Sequence, residues 1–319
     1  MSASHQQWLR KSSLVISGTN ESLDLSEMHF RFRTTEMNEE APNTLSVRVY
    51  NLSQDTVKKI TNQTPVEYTL VELKAGYQDN DSYGTIFTGT IKQYRKGRES
   101  ATDTYLDILA AEDDIAYNFG VVSDQVIAGT PISEIVSRTA KGMGLEVGYI
   151  PPISGGTLPR GKVLWGMGRV IARNLANTQG FGWTIKAGKL QMVPLNSYLP
   201  GEIVVLNSAT GMIGIPEQTN EGVRVRCLLN PRLYIGGQMQ IDNESINKTV
   251  QGGSKSLVVG QLPYDQWAGV SMPADVTADG FYMMYVIEHS GDTRGTDWYS
   301  DVIGLAMSER NGTVNPYGS

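Results

Sequence analysis

The chain has few of the residues that disulfide frameworks, metal centres and most active sites need. Its 319 residues include one cysteine, Cys227, and only 3 histidines. A single cysteine excludes an internal disulfide framework, and without a CxxC partner Cys227 is expected to be a buried structural thiol. The histidines stand in unrelated contexts at His5, His29 and His289. We therefore assign no catalytic, cofactor-binding or metal-ligating residue from the sequence.

Long apolar runs and a strong charge of either sign are also missing. The only apolar run near the N-terminus covers residues 14–16, which is too short for a signal-peptide core or a membrane span. The sequence therefore predicts synthesis and assembly in the cytoplasm and no membrane-spanning segment. A formal net charge of -6 argues against a sequence-independent nucleic-acid binder, which needs basic patches against phosphates.

The chain is instead rich in glycine and in the alternating patterns of β-strands. In the first segment Phe30 and Phe32 alternate with Arg31 and Arg33, and several further runs repeat this period of two. About six strands interrupted by one short helix, which Ser53 caps, are typical of a small barrel or a strongly bent sheet. We assign residues 1–117 to an N-terminal barrel-like β domain.

The middle of the chain, residues 118–200, predicts two helix-strand modules. In residues 167–194 a helical period ends at Gly180 and is followed by a hairpin that turns at residues 186–189. A weaker copy covers residues 130–150, where Thr130 is expected to cap a helix that begins at Pro131, ahead of a strand over residues 145–150. The fold class is mainly β with this α+β insertion between two barrel-like β domains.

Residues 201–319 return to strand patterns and form the second barrel-like β domain. The strand around Cys227 carries Arg224 and Arg226 on its other face, and residues 283–288 and 298–307 predict a late antiparallel pair. Residues 245–273 are expected to form a long loop, and the last residues a poorly ordered tail.

Three groups of residues resemble parts of an active site or a metal site, but none has the full set of residues that such a site needs. His289, Ser290 and Asp292 contain the ingredients of a catalytic triad, but adjacent residues in one turn cannot converge on a carbonyl, so a structural turn is favoured. The segment at residues 79–84 begins like a calcium loop and lacks the later ligands, which favours a polar hairpin. The carboxylates at residues 112–114 invite comparison with glycosidase acids, whereas scattered surface carboxylates are the ordinary case.

Arginines alternate with apolar residues on several predicted strands and point away from the predicted cores. One interpretation is a solvated sheet face. The other is a polar subunit interface or a channel wall, because arginine offers planar, multi-donor contacts to carboxylates. The residues concerned are Arg31, Arg33, Arg48, Arg224 and Arg226.

The order of segments resembles the baseplate hub proteins of phages with contractile tails. FRFRT, APNTLSVRVYNLS, LKAGY and GTIFTGTIKQ resemble the first barrel of those hubs, and RVIARNLANTQGFGWTIKAGKLQMVP resembles the module inserted after it. GVRVRCLLNPRLYIGGQMQID and YVIEHSGDTRGTDWYSDV are similar to the second barrel. The resemblance implies a homotrimer in which each chain contributes two related barrels to a pseudo-sixfold ring, although the two halves show no strong similarity in sequence.

Such a ring joins the sixfold tail tube to the threefold central spike and leaves a channel for DNA, which passes without specific binding. The resemblance also implies contacts with the tape-measure protein and baseplate wedge proteins, a place in the virion, and no enzymatic activity or cofactor. From the net charge we expect a neutral or acidic channel.

Two other classes stay open at this point. A carbohydrate or cell-wall binding module predicts grouped, exposed aromatic side chains, and a peptidoglycan hydrolase predicts acidic residues that converge in a cleft. The sequence does not decide whether the five tryptophans group together. They are Trp8, Trp165, Trp183, Trp267 and Trp298.

Overall fold

The computed structural model describes residues 9–18, 22–37, 41–61, 69–78, 82–153, 156–194, 197–219, 222–241 and 280–306. The expected long loop over residues 245–273 and the C-terminal tail lie outside these residues. So do His5, Trp8, Asp79, Asp81 and Trp267.

The described part of the first segment contains seven strands and one short helix. The strands are β1 (Arg10–Ser17), β2 (Ser22–Asp24), β3 (Phe30–Met37), β4 (Thr44–Tyr50), β5 (Leu70–Tyr77), β6 (Tyr83–Arg98) and β7 (Thr104–Ala111). Helix α1 (Gln54–Thr61) begins after Ser53, whose hydroxyl accepts a hydrogen bond from the Thr56 N–H at 3.1 Å. This is the predicted cap.

The middle segment holds three helices and two small sheets. Its elements are α2 (Asp114–Phe119), β8 (Val121–Val126), α3 (Ile132–Gly142), β9 (Glu146–Val147), β10 (Lys162–Met167), α4 (Gly168–Gln179), β11 (Phe181–Lys186) and β12 (Lys189–Pro194). Helix α4 stops at Gly180, which has a φ of 67°, and the hairpin turns through Ala187 and Gly188 at φ of 50° and 74°. The predicted helix, glycine stop and hairpin are therefore confirmed.

Two local expectations for this segment were wrong, and two features of it were not predicted. Thr130 does not cap α3, because the helix begins at Ile132 and the Thr130 hydroxyl donates to the Ile127 carbonyl at 2.8 Å instead. The strand expected over residues 145–150 is only the two residues of β9. Helix α2 and the β8–β10 pair were not predicted, since both are too short to show a clear period.

The last segment returns to strands and joins the first in one sheet. Its strands are β13 (Val204–Leu206), β14 (Met212–Gln218), β15 (Val223–Leu228), β16 (Gln238–Ile241), β17 (Phe281–Asp292) and β18 (Trp298–Ala306). Strand β17 pairs antiparallel with β3, so a single path runs β14-β15-β18-β17-β3-β4-β7-β6-β5-β1-β2. The mainly β class is confirmed, whereas barrel closure stays a prediction because this path is open among the described residues.

The two halves of the large sheet share one strand order. In the first half the order is β3-β4-β7-β6-β5-β1, and in the second it is β14-β15-β18-β17-β16-β13, and corresponding strands follow one another in the same order along the chain. The last pair differs in direction, because β1 runs antiparallel to β5 whereas β13 runs parallel to β16. Even the bulges correspond, since the register shifts at Ile91/Gln93 in β6 and at Met284/Val286 in β17. The structure thus relates two halves whose sequences show little similarity.

Buried side chains form three main clusters that follow the three segments. One contains residues of β1 to β7, a second lies among α3, α4 and the β11–β12 hairpin, and a third lies among β13 to β18. The first cluster also takes in Leu229 and Trp298 from the last segment, so the two sheet halves share part of a core. The boundaries at 1–117, 118–200 and 201–319 stay a prediction, and the first of them falls inside α2, whose Ala116 packs in the second cluster.

Candidate functional site

The most distinctive surface is the charged face, by which we mean the outer side of β15, β18, β17, β3, β4, β7 and β6. Apolar residues of these strands point inward, so their polar neighbours point outward. The face carries five arginines and four carboxylates joined in ion pairs, namely Arg31, Arg33, Arg48, Arg95, Arg226, Asp107, Glu288, Asp292 and Asp301.

In the first half of the sheet the pairs centre on Asp107. Arg48 is its direct partner on β4 and donates from Nε and Nη2 to the two carboxylate oxygens at 2.6 and 3.1 Å. Arg95, the cross-strand neighbour on β6, donates to Oδ2 at 2.9 Å. The Arg48 guanidinium also lies 4.0 Å from the centre of the Tyr105 ring. This is a bidentate pair extended by a second cation and an aromatic ring.

These contacts keep both partners charged. Partial burial acts to raise the pKa of Asp107, but hydrogen bonds from Arg48 and Arg95 outweigh it and hold that pKa below its usual value. The hydrogen bond to Asp107 raises the pKa of Arg48 in turn. Arg31, Arg48 and Arg95 line one open cleft of about 490 Å³ on this face.

The second half of the sheet repeats this unit at corresponding positions. Arg226 on β15 is the direct partner of Asp301 on β18, and its Nε and Nη2 donate to the carboxylate oxygens at 2.9 and 3.0 Å. Tyr299 lies beneath the guanidinium at 5.5 Å, as Tyr105 does in the first half. The short sequences Tyr-x-Asp and Val-Arg occur at the same strand positions in both halves.

Two ion pairs cross the junction between the halves. Arg31 on β3 donates from Nε to Asp292 on β17 at 2.7 Å, and Arg33 donates to Glu288 at 2.6 Å. Asp292 also contacts His29 Nε2 at 2.8 Å. Burial acts to raise the pKa of Asp292, but backbone N–H groups and these two side chains lower it to about 2. Asp292 therefore stays ionised at neutral pH.

All five arginines named from the sequence lie on this one face. Four of them are ion-paired, and Arg224 lies opposite Glu217 in the β14–β15 ladder. The face therefore carries arginine and carboxylate in alternation rather than a bare positive surface.

A family model described as Baseplate hub gp41 matches residues 13–268. The chain belongs to the baseplate hub gp41 family. The match covers most of the chain and confirms the resemblance seen in its segments. The family consists of structural proteins of phage tails, and a comparison with curated proteins finds no significant match.

Solved structures agree with this family in fold. A 43 kDa tail protein of prophage MuSo2 from Shewanella oneidensis is 9% identical, with a TM-score of 0.56 over 92% of this chain and 98% of that one. A tail protein from Neisseria meningitidis is 8% identical, with a TM-score of 0.54 over 93% and 96%. An Escherichia coli type VI secretion component, described as similar to phage T4 tail proteins gp27 and gp5, has 9% identity and a TM-score of 0.53 over 94% and 78%.

The triad-like residues of this hub protein do not converge. His289 points inward, is buried and contacts the Ser300 hydroxyl through Nδ1 at 2.7 Å, whereas Ser290 and Asp292 take the alternate positions of β17. Burial lowers the pKa of His289 to about 3, so it is neutral at physiological pH. Cys227 is also buried, and burial raises the pKa of its thiol to about 12.

The carboxylates at residues 112–114 are not the scattered surface groups that were expected. Glu112 and Asp113 accept hydrogen bonds from the backbone N–H groups of Ala187 and Gly188 at 2.8 and 2.9 Å. They therefore hold the β11–β12 turn against the large sheet, where Lys186 also donates to Glu36 at 2.5 Å. Burial raises the pKa of Glu112 to about 7. Their role in this hub protein is to anchor the inserted module.

Arg95 and the acidic half of the charged face were not predicted from the sequence. The signal that could have revealed them is the recurrence of TYLDI at residues 104–108 as WYSDV at residues 298–302. Within the described part of the chain no group of three or more His, Cys, Asp or Glu is placed to hold a metal ion. In that same part, no helix is long and apolar enough to span a membrane.

Proposed function

We propose that this chain is a structural component of the baseplate hub that forms a homotrimeric ring between the sixfold tail tube and the threefold central spike. The observation that carries the proposal is the pair of sheet halves with one strand order. Three chains with two such halves each present six similar units, which is the symmetry that a tube-to-spike adaptor needs.

The charged face is proposed to line the central channel. A channel for DNA must be hydrated and must not trap phosphates, which a surface of bare arginines would do. On this face each of the arginines 31, 33, 48, 95 and 226 is held by a carboxylate, so the lumen is expected to be close to neutral. The net charge predicted a neutral or an acidic channel, and this balance of charges supports a neutral one.

The partners in this proposal are other copies of the chain, the tail tube, the central spike, and the tape-measure and baseplate wedge proteins. The chain would act in the virion, at the tail baseplate, after assembly in the host cytoplasm. It would have no enzymatic activity. The three-part division at residues 117/118 and 200/201 belongs to the same proposal.

The mass of the purified protein tests the ring directly. We expect light scattering after size exclusion to give about three times the chain mass of 34.9 kDa, and electron microscopy to show rings with a central opening. A protein that stays monomeric at every concentration, and also when it is mixed with its tube and spike partners, would contradict the proposal.

Binding of short DNA tests the proposed lining. The wild-type ring should not bind double-stranded DNA at physiological salt, whereas Asp107→Asn combined with Asp301→Asn removes the carboxylates from both units and should create weak, salt-sensitive binding. Asp124→Asn, on the middle segment, is the matched control because it removes an acidic charge away from the charged face.

The tryptophans argue against the carbohydrate-binding alternative. Trp183 and Trp298 are buried, and Trp165 is the one described tryptophan with an exposed ring, so the described tryptophans do not group into an exposed platform. A glycan pull-down and a peptidoglycan zymogram would detect the two alternative activities, and we expect both to be negative.

A further inference from the structure

We infer that the outer face of the β8–β10 pair is a docking surface for an acidic amphipathic helix of a partner protein. The surface is the outer ladder, by which we mean the three facing pairs Val121–Met167, Ser123–Trp165 and Gln125–Val163. The β8–β10 pair is a separate small sheet of the middle segment and does not belong to the large sheet. The inference therefore goes beyond the proposed ring and does not depend on it.

The β8–β10 pair has one buried face and one exposed face. On the buried face, side chains of both strands lie in the second core cluster together with residues of α3. On the other face Val121, Val163 and Trp165 are 56%, 72% and 77% exposed. Because successive side chains of a strand point to opposite faces, the register brings these three onto one side. In the described part of the chain, nothing covers them.

Exposed apolar residues continue beyond the ends of strand β8. Phe119 stands just before this strand and Ile127 just after it, and both side chains are exposed. Single exposed apolar residues are common on protein surfaces, whereas a continuous group of them marks an interaction site. The outer ladder and its two neighbours form such a group.

The charges of the middle segment favour an acidic partner. Residues 118–200 contain eight lysines and arginines against three aspartates and glutamates, whereas the whole chain has a net charge of -6. All three acidic groups are held by cations of the same segment, in the pairs Asp124–Arg138, Glu134–Arg138 and Glu146–Lys189. The segment therefore has positive charge that its own carboxylates do not balance.

Cations without a carboxylate partner stand at both ends of the outer ladder. Arg160 and Lys162 are exposed beside Val163, and among the described residues neither contacts a carboxylate. Lys162 alternates with Val163, so it flanks the outer ladder, whose rim its long side chain can reach. At the other end Arg169 donates to the neutral amide oxygen of Asn118 at 3.0 Å. An apolar centre with a positive rim is complementary to an apolar stripe flanked by carboxylates.

A helix fits the size and the layering of this surface. Each strand has six residues, which span about 20 Å and match about 13 residues of helix. The buried face already packs with α3, so a helix on the other face would complete a helix-sheet-helix arrangement. Ser123 and Gln125 lie among the apolar groups, which favours a protein partner over lipid tails because lipid tails offer no hydrogen bonds.

Two designed peptides test the chemistry of the partner. Both are helices of about 14 residues with one leucine stripe, and the flanking positions carry glutamate in one and lysine in the other. We expect the glutamate peptide to bind the purified full chain about tenfold more tightly than the lysine peptide at low salt. Equal affinities, or no binding of either peptide, would overturn the inference.

Variants assign this binding to the outer ladder. Trp165→Ala should weaken binding of the glutamate peptide about tenfold, because an exposed indole is a typical anchor of an interface. Leu70→Ala is the matched control, since Leu70 is also exposed but lies on β5 of the large sheet, and it should leave the affinity unchanged. Arg160→Glu/Lys162→Glu should remove the preference for the glutamate peptide. Equal affinities of the Trp165→Ala and Leu70→Ala variants would contradict the assignment.

Vesicles of phosphatidylglycerol test the other class of ligand, an anionic membrane surface. We expect no binding of the wild-type chain to these vesicles that Trp165→Ala weakens. Vesicle binding that does depend on Trp165, in a chain that binds neither peptide, would assign the outer ladder to a membrane and overturn the helix partner.

Photo-cross-linking in assembled tails identifies the partner segment itself. A benzoyl-phenylalanine placed at Trp165 should capture a segment of a different protein, and mass spectrometry should show that this segment is acidic with apolar residues at helical spacing. The matched control is the same group at Glu146, whose side chain is 78% exposed on the other small sheet, and it should not capture that segment. Capture of another copy of this chain, or of the same segment from both positions, would overturn the inference.

Discussion

The two halves of the large sheet carry the same arginine-aspartate-tyrosine unit in different surroundings. Arg48 in the first half has a side chain 31% exposed, and its carboxylate partner is shared with Arg95. Arg226 in the second half is 53% exposed, and among the described residues it is the one cation paired with Asp301. The strand order determines where the arginine-aspartate-tyrosine unit lies, whereas the neighbouring side chains determine how buried its ion pair is.

Equivalent positions beside the unit differ much more. Trp298 stands where the first half has Thr104, and buried His289 stands where it has exposed Lys96. These substitutions give the second half a large apolar anchor and a buried neutral imidazole that the first half lacks. The two halves therefore share a fold but not the same stabilising contacts. Single substitutions can measure what each half contributes to stability.

Replacing Trp298 by alanine is expected to have the largest effect on stability. The side chain is buried, its Nε1 donates to the Gly76 carbonyl at 3.3 Å, and its ring meets Phe32 edge-on. It thus packs in the core of the first half although it belongs to the second. We expect urea unfolding to show a loss of about 3–5 kcal/mol, the usual cost of such a truncation.

Trp165→Ala is the control for this measurement, because that side chain is 77% exposed. It should change the free energy of unfolding by less than about 0.5 kcal/mol. Similar losses in the two variants would show that Trp298 does not anchor the two halves together.

His289 should make stability depend on pH. In the folded chain its pKa is about 3, whereas the unfolded chain binds a proton below about 6.5, so the unfolded state gains protons as pH falls between these values. As pH falls through that window, His289 therefore lowers the free energy of unfolding by at most about 1.4 kcal/mol per pH unit. His289→Gln should remove this contribution.

Urea unfolding from pH 7 to pH 4 should be measured for wild type and for His289→Gln, and the quantity to compare is the difference between their free energies of unfolding at each pH. The difference is needed because Glu112 acts in the opposite direction. Its folded pKa of about 7 lies above the ordinary value, so the folded state binds the extra proton and gains stability as pH falls towards 4.5. A difference that does not change with pH would contradict the assignment to His289.

The sequence predicts local elements of this protein better than its long-range pairing. Helix α4, the Gly180 stop and the hairpin turn are specified by residues close together in the chain, and all were predicted. The β17–β3 junction joins residues 249 to 261 positions apart, and no local pattern encodes such a pairing. The outward arginines were visible as an alternation, but their partners Asp107 and Asp301 were identified only once the register was known.

The surface exposure expected for the carboxylates near residue 112 was wrong for a different reason. Glu112 looks like a surface residue because glutamate is usually exposed. It is buried here because the turn of β11–β12 presents its backbone N–H groups at that place, which only the packing of the inserted module determines. Burial of a charged group depends on a partner distant in the sequence.

The two arginines of the repeated units should differ moderately in their contribution. Arg48→Ala removes a half-buried bidentate contact and leaves Asp107 with Arg95 alone, so we expect a loss of about 1–2 kcal/mol. Arg226→Ala should cost less than about 1 kcal/mol, because the pair is more exposed and solvent screens it. Urea unfolding at one salt concentration compares them, and equal losses would show that the surroundings of the units do not matter.

The Arg33–Glu288 pair at the internal junction should have the smallest effect. Its arginine is 64% exposed, so a double-mutant cycle with Arg33→Ala and Glu288→Ala should give a coupling of about 0.2–1 kcal/mol that shrinks at high salt. The pair lies within one chain, where β17 and β3 are already held by their backbone ladder. A coupling above this range would mean that the junction depends on its charges as well as on its backbone ladder.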